Sequence, residues 1–276
     1  MVRAICVTAL LLTTAAAVLP AQRNRDRDFG LSQDEWCREA RRADFCEVRE
    51  ETLRNTNVVD LDARGNGGVT VRGWDRSDVR VRARIVVHDE SRDDAQRIAK
   101  EIQLTTTGGR IRADGPERRR RGRYFGDDRH WSVAYELEVP RRAELRVDAT
   151  NGGISVEDVR GRIDAHTING GIQLGDVGGD IRGETVNGGL RVELAGDKWD
   201  GAGLDLKTVN GGVSLAVPSG FSGELDARTS NGGISVDFPI TVTGLLNRRQ
   251  ITATLGSGGP RIRLTAVNGG ISITRR

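Results

Sequence analysis

"TVNGGLRV", residues 185–192, recurs along the chain with small changes. "TINGGIQL" starts at Thr167, "TVNGGVSL" at Thr208, "TSNGGISV" at Thr229 and "AVNGGISI" at Ala266. With the Asn of each copy as origin, the set is Asn151, Asn169, Asn187, Asn210, Asn231 and Asn268. The first two spacings are 18 residues and the later ones 23, 21 and 37. Three and five residues after each Asn sits an aliphatic residue, such as Ile172 and Leu174 or Leu190 and Val192. Six residues before it sits another: Leu145, Ile163, Ile181, Leu204, Leu225 or Ile262. Two before it stands Thr or Ala.

Inward positions two apart are the signature of a strand. Each unit therefore predicts two short strands joined at an Asn-Gly-Gly corner. The extra residues of the longer units fall between the second strand and the next first strand, as in 193–203 and 237–259, and never at the corner. An earlier "GNGGVTV", 65–71, is a degenerate copy whose preceding apolar residues lie one place further from Asn66. Asn-Gly also favours hairpin turns, so a meander of hairpins competes. A meander does not require residue identity to recur, whereas stacked coils place Ile on Ile, Thr on Thr and Asn on Asn. The expected fold is all-β: a β-solenoid with two short strands per 18-residue rung, regular from about residue 141. Its structural corner is Asn151, Asn169, Asn187, Asn210, Asn231 and Asn268. There the glycines are expected to supply positive φ, and the stacked Asn side chains to bond from rung to rung.

Other readings of Asn-Gly-Gly fit less well. A phosphate cradle leads into a helix and often carries Lys; here a strand follows. Calcium-binding repeats need a recurring Asp, which is absent.

Before the repeats, "VRVRARIVV", 79–87, alternates as a half-buried strand, with Val79, Val81, Ala83, Ile85 and Val87 on one side and Arg80, Arg82 and Arg84 on the other. A helix follows at about 92–103, capped by Ser91, with Ala95, Ile98, Ala99 and Ile102 in one stripe. "WSVAYELEV", 131–139, is a second alternating strand closed by Pro140. The strands are expected to begin near Thr56.

The first 21 residues read as a secretory signal peptide: Arg3, an apolar run from Ala4 to Leu19, and Ala21 before the cut. Residues 22–55 form a charged N-terminal segment. It holds Cys37 and Cys46, which in an exported chain suggest a disulfide. On one straight helix they would lie about 13 Å apart, so a bond needs a bend between them. Residues 56–276 are the strand-repeat domain. No second apolar span predicts a transmembrane segment in the mature chain. The net charge of +3 and pI near 9.0 reflect a small excess on a balanced, highly charged surface, which is no argument for nucleic acid. With 36 Gly and 4% aromatics, a bulky aromatic core is excluded.

Chemistry is sparse. Outward positions five before Asn read Asp164, Arg182, Asp205, Asp226 and Arg263, and His166 lies on the same face. These look like solvated ion-pair ladders and single out no carboxylate dyad of the kind a glycosidase needs. The other outer face carries Ser155, Gln173, Arg191, Ser214, Ser235 and Ser272, a strip that could dock a partner. Arg118, Arg119, Arg120, Arg121 and Arg123, beside Tyr124 and Phe125, could grip an anionic partner, or simply form a charged loop tip. No catalytic, cofactor-binding or metal-ligating residues are predicted. A solenoid's open end could pair edge to edge and give self-association; the final strand, "ISITRR", would sit at such an end and protect itself with Arg275 and Arg276.

On "WSVAYELEVP", 131–140, and "LRVDATNGGISVEDVRGRIDAHTINGGIQL", 145–174, the chain resembles a bacterial family of exported proteins of unknown function, the "putative adhesins" with NGG-type strand repeats. The resemblance spans about 56–276. It implies a solenoid-like fold and a cell-envelope, periplasmic or extracellular place, and supplies no catalytic residue. The reading is a non-enzymatic exported binding or scaffold protein with an envelope protein or glycan as partner. A carbohydrate-active enzyme on the same fold, or a periplasmic structural or stress-related protein, is the alternative.

Overall fold

The computed structural model describes residues 30–40, 43–116 and 131–276. The expected signal peptide, 1–21, and the arginines Arg118–Arg121 and Arg123 lie outside the described residues. The chain is mostly β and curls into two facing sheets. The front sheet holds the strands that end at each corner Asn. In chain order these are β2 (Val58–Asn66), β8 (Arg142–Asn151), β10 (Arg160–Asn169), the second half of β11 (Ile172–Asn187), β13 (Gly203–Asn210), β15 (Gly223–Asn231) and β19 (Arg261–Asn268). The back sheet holds the strands that follow the corners: β3 (Val69–Trp74), β9 (Ile154–Glu157), the first half of β11, β12 (Leu190–Leu194), β14 (Val213–Val217), β16 (Ile234–Val236) and β20 (Ile271–Arg275).

All these pairings are parallel and keep repeat positions in register. Ile163 lies beside Ile181 and Ile181 beside Leu204; Ile154 lies beside Ile172 and Ile172 beside Leu190. The inward aliphatics are buried and form one continuous core between the sheets. A side chain at Gly183 would press on Leu190 and Leu206, so glycine there makes room for the larger Leu206 of the next unit. The register between β2 and β8 slips between Ala63 and Asn66, where the degenerate first copy has its extra residue.

The spatial order departs from the chain order at both ends. The front sheet runs β2–β8–β10–β11–β13–β19–β15, and the back sheet runs β3–β9–β11–β12–β14–β20–β16. The Asn268 unit is thus inserted between the Asn210 and Asn231 units. This corrects the placement of "ISITRR" at an open end: β20 is held on both sides, by β14 and β16. The long insertion 237–259 makes the detour, with β17 (Thr241–Asn247) and β18 (Gln250–Leu255) laid antiparallel outside β15.

The opposite end is closed similarly. β6 (Arg110–Asp114) lies parallel outside β2, with β5 (Gln103–Thr105) antiparallel beyond it. β7 (Trp131–Pro140) lies parallel outside β3, followed by antiparallel β4 (Val79–Val87) and β1 (Phe45–Leu53). Strands therefore begin at Phe45, earlier than the alternation near Thr56 suggested, because β1 carries four charged residues, Glu47, Arg49, Glu50 and Glu51, three of them consecutive, that break the apolar alternation. The helix α2 (Arg92–Glu101) buries Ala95, Ile98 and Ala99 over this end. Its last carbonyls take the Arg49 guanidinium, which donates to the Ala99 carbonyl at 2.7 Å, as a cation at a helix C-terminus should.

A short helix, α1 (Gln33–Arg38), lies against β1 and the outer side of β4. Cys37 on α1 is disulfide-bonded to Cys46 on β1, Cα to Cα 5.7 Å. Trp36 is buried with the Arg82 and Arg84 guanidiniums at 5.0 and 5.1 Å from its ring.

Candidate binding surfaces

The corner itself is closed to ligands. The Asn side chains form a ladder in spatial order: Asn151 Nδ2 donates to Asn66 Oδ1, Asn169 to Asn151, Asn187 to Asn169, Asn210 to Asn187, Asn268 to Asn210 and Asn231 to Asn268, each at 2.8 Å. The backbone is equally occupied. The N–H of Gly170 donates to the Asn187 carbonyl and that of Ile172 to the Gly189 carbonyl, both at 3.0 Å. The remaining carbonyl, that of Gly170, accepts the buried Thr185 hydroxyl at 2.8 Å. Thr167, Thr208 and Thr229 repeat this bond to Gly152, Gly188 and Gly269. The Asn side chains, the first-glycine N–H and carbonyl and the second-glycine carbonyl are thus bonded to neighbouring units, which explains Thr two places before Asn. Replacing Thr185 by Val keeps the shape and removes the donor. The expected cost is about 1–2 kcal/mol, read from urea unfolding; an unchanged midpoint would contradict this role.

The glycines work differently from the expectation. Of the corner pairs, only Gly67 has a φ in the positive region, at 153°. At the first glycine the constraint is clearance: a Cβ on Gly188 would lie 2.1 Å from the Gly170 carbonyl oxygen. At the second glycine there is room, a Cβ on Gly189 meeting the Gly212 carbonyl oxygen at 3.4 Å.

The second glycines floor the first candidate surface. Along the back sheet an open groove of about 850 Å³ runs beside Gly153, Gly171, Gly189, Gly212, Gly270 and Gly233. Its rim is Thr70, Ser155, Gln173, Arg191, Ser214, Ser272 and Ser235, which lie in successive register. Seven parallel strands at ~4.8 Å give it a length of roughly 29 Å. The strip expected from sequence is therefore a trough, because the missing side chains of the second glycines lower its floor. Arg191 carries its single charge.

The outer face of the front sheet is an ordered array of charges. In the register row that lies five residues before the regular corners, successive strands present Arg110, Asp60, Arg146, Asp164, Arg182, Asp205, Arg263 and Asp226. The sign alternates at every step. In chain order Asp205 and Asp226 would adjoin; inserting the Asn268 unit puts Arg263 between them. Like charges opposite one another destabilise a sheet, so this array favours the observed order over the sequential one.

His166 sits in this array with Nε2 2.6 Å from Asp164 Oδ1 and Nδ1 4.0 Å from Glu184 Oε2. Glu184 in turn accepts from Lys207 Nζ at 2.6 Å. Carboxylates and bases alternate along this row. Among the described residues no group of three or more His, Cys, Asp or Glu could hold a metal ion. No helix among them is long and apolar enough to cross a membrane.

Sequence reading missed one ionic site. Arg82 and Glu136 form a buried ion pair, their side chains 8% and 6% exposed. The alternation assigned both to a solvent face; α1 and the residues before it cover that face, with Gly30 N–H donating to Glu136 and Arg82 to the Leu31 carbonyl.

None of the curated proteins matches the chain. Among solved structures it is similar to a "putative cell adhesion protein" from Clostridium sporogenes, at 9% identity over 83% of this chain and 100% of that one, with a TM-score of 0.38. A "putative adhesin" from Bacteroides fragilis aligns at 9% identity over 85% and 99%, TM-score 0.32. Another from Parabacteroides merdae aligns at 10% over 84% and 96%, TM-score 0.29. A family comparison matches residues 75–274, well over half of the chain, to Toastrack DUF4097. The chain belongs to the Toastrack DUF4097 family.

Proposed function

We propose that this is a non-enzymatic binding or scaffold protein of the cell envelope, exported by cleavage after residue 21, which holds an envelope glycan in the back-sheet groove. In this reading the described residues of the 22–55 segment brace one end, and residues 56–276 are a two-sheeted β-solenoid with an NGG corner on each rung. The observation that carries the proposal is the groove: long, open, floored by backbone and rimmed by hydroxyl and amide groups. Such a lining offers hydrogen bonds to an uncharged polar polymer without demanding charge of it. Ligand sites usually place a few polar groups on a preformed concave surface.

The test uses an array of bacterial envelope glycans with the full chain, scored for binding and for release of reducing ends. Saturable binding without turnover is expected. Arg191→Glu and Gln173→Ala, both on the rim, should weaken it while leaving the thermal midpoint unchanged. Release of reducing ends abolished by one Asp or Glu substitution would establish an enzyme and overturn this reading. Binding indifferent to both rim variants would move the site elsewhere.

A further inference from the structure

The front sheet carries a second depression. A notch of about 330 Å³ opens where the charged row seven places before the corner is broken by Gly203. That row reads Glu144, Arg162 and Asp180, then Gly203, then Arg261 and Glu224. Nothing local demands glycine at 203. Its φ lies outside the positive region, and a Cβ there would meet only the Arg261 carbonyl oxygen, at 4.0 Å. The absent side chain leaves the space open.

Four guanidiniums surround that space: Arg162, Arg182, Arg261 and Arg263. All four are exposed, and none makes a side-chain hydrogen bond or ion pair among the described residues. The neighbouring acids are differently placed. Asp180 accepts the Ala202 N–H at 2.6 Å, and Asp164 is bound to His166 at 2.6 Å. The notch is thus lined by four guanidiniums against the three carboxylates Asp164, Asp180 and Asp205, an excess of one positive charge. Two of those arginines, Arg261 and Arg263, reach the notch only because β19 is inserted beside β13. A second depression of about 660 Å³ shares Arg162 and Asp180 and adds Arg142 and Arg160 with Glu144 and Asp200.

The geometry points to an oxyanion site: we propose that the Gly203 notch binds a phosphate or sulfate group, free or carried on a polymer that continues toward Arg142 and Arg160. A guanidinium presents a planar fork of N–H donors that matches tetrahedral oxyanions, and its charge strengthens each bond. None of the four is held in a hydrogen bond or ion pair among the described residues, so their donors are available without breaking one. This site is on the opposite sheet from the groove and does not depend on the glycan reading.

The test is calorimetric titration of the full chain at low salt with inorganic phosphate, inorganic sulfate and, separately, polyphosphate. Saturable binding is expected, falling steeply as salt is added. Arg182→Gln and Arg261→Gln should each weaken it about tenfold. Gly203→Leu, which fills the notch, should abolish it, and Arg191→Gln on the back sheet should leave it unchanged. Binding of the inorganic ions places the whole determinant in the notch; binding of polyphosphate alone, lost in Gly203→Leu, assigns the ligand to a polymer. The proposal is overturned if none of the three probes binds. It is equally overturned if binding survives both arginine substitutions, which lie on the exposed surface and leave the core intact.

Discussion

Gly188→Ala should destabilise the protein by about 3 kcal/mol or more, at the upper end of overpacking costs, while Gly189→Ala should cost well under 1 kcal/mol. The two residues are adjacent, chemically identical and equally repeated. They differ in what lies beside them. A methyl on Gly188 would sit 2.1 Å from the carbonyl oxygen and 2.5 Å from the carbonyl carbon of Gly170. Those atoms belong to a backbone fixed by the corner bonds on either side, so relief requires neighbouring units to separate locally. A methyl on Gly189 meets its nearest neighbour at ordinary contact distance and projects toward the groove. For a chain of this size the Gly188 loss corresponds to a fall in Tm of roughly 6–12 °C. Equal midpoints for the two variants would mean that clearance between units is not the reason for the first glycine.

The second large effect concerns the buried pair. Glu136→Ala should cost about 3–5 kcal/mol, because it leaves the Arg82 charge buried without its partner. Glu50, at 3.5 Å from Arg82 Nε, is half exposed and compensates only in part. Replacing both residues by apolar ones, as Arg82→Met with Glu136→Leu, should recover much of the loss. A double variant as unstable as the single one would show that the pair does more than satisfy itself. The pair also has a pH signature. Burial, the largest influence, raises the Glu136 carboxyl above the ordinary carboxylate range, against the opposing pull of Arg82. The folded state then holds the proton more tightly than the unfolded chain. That stabilisation is present below the ordinary glutamate value and is lost as pH rises through the raised one. Relative to Glu136→Gln, which carries no such proton, the wild type should therefore lose stability as pH rises through that window.

Much of the architecture is readable from residues alone because it depends on local period. Ile172, Leu174, Leu190 and Val192 announce inward positions by spacing, and Asn187 announces its corner by recurrence. What spacing does not encode is which unit lies beside which. The Asn231 and Asn268 units have the same pattern, so nothing in either one says that the later is inserted before the earlier. The signal was present in the signs of Asp205, Asp226 and Arg263, which alternate only in the inserted order. Arg82 and Glu136 were assigned to solvent because alternation describes a strand and not what covers it. The role of the first glycine was hidden because clearance from a neighbouring backbone leaves the same residue as a need for positive φ. The groove was half legible: its rim could be named, but its depth comes from the second glycines beneath it.

The inserted order supports both surfaces, since it makes the groove continuous through β20 and brings Arg261 and Arg263 beside Gly203. Cysteine cross-linking on the back sheet measures it directly. Ser214 and Ser272 are register partners on adjacent strands, as are Ser272 and Ser235. Ser214 and Ser235 are separated by β20, about 9.6 Å apart at two strand spacings, beyond the reach of a disulfide. In chains carrying Ser214→Cys with Ser272→Cys, mild oxidation should give an intramolecular disulfide. In chains carrying Ser214→Cys with Ser235→Cys it should give none. The reverse pattern, a bond between positions 214 and 235 and none between 214 and 272, would mean that the units stack in chain order, and would contradict the account.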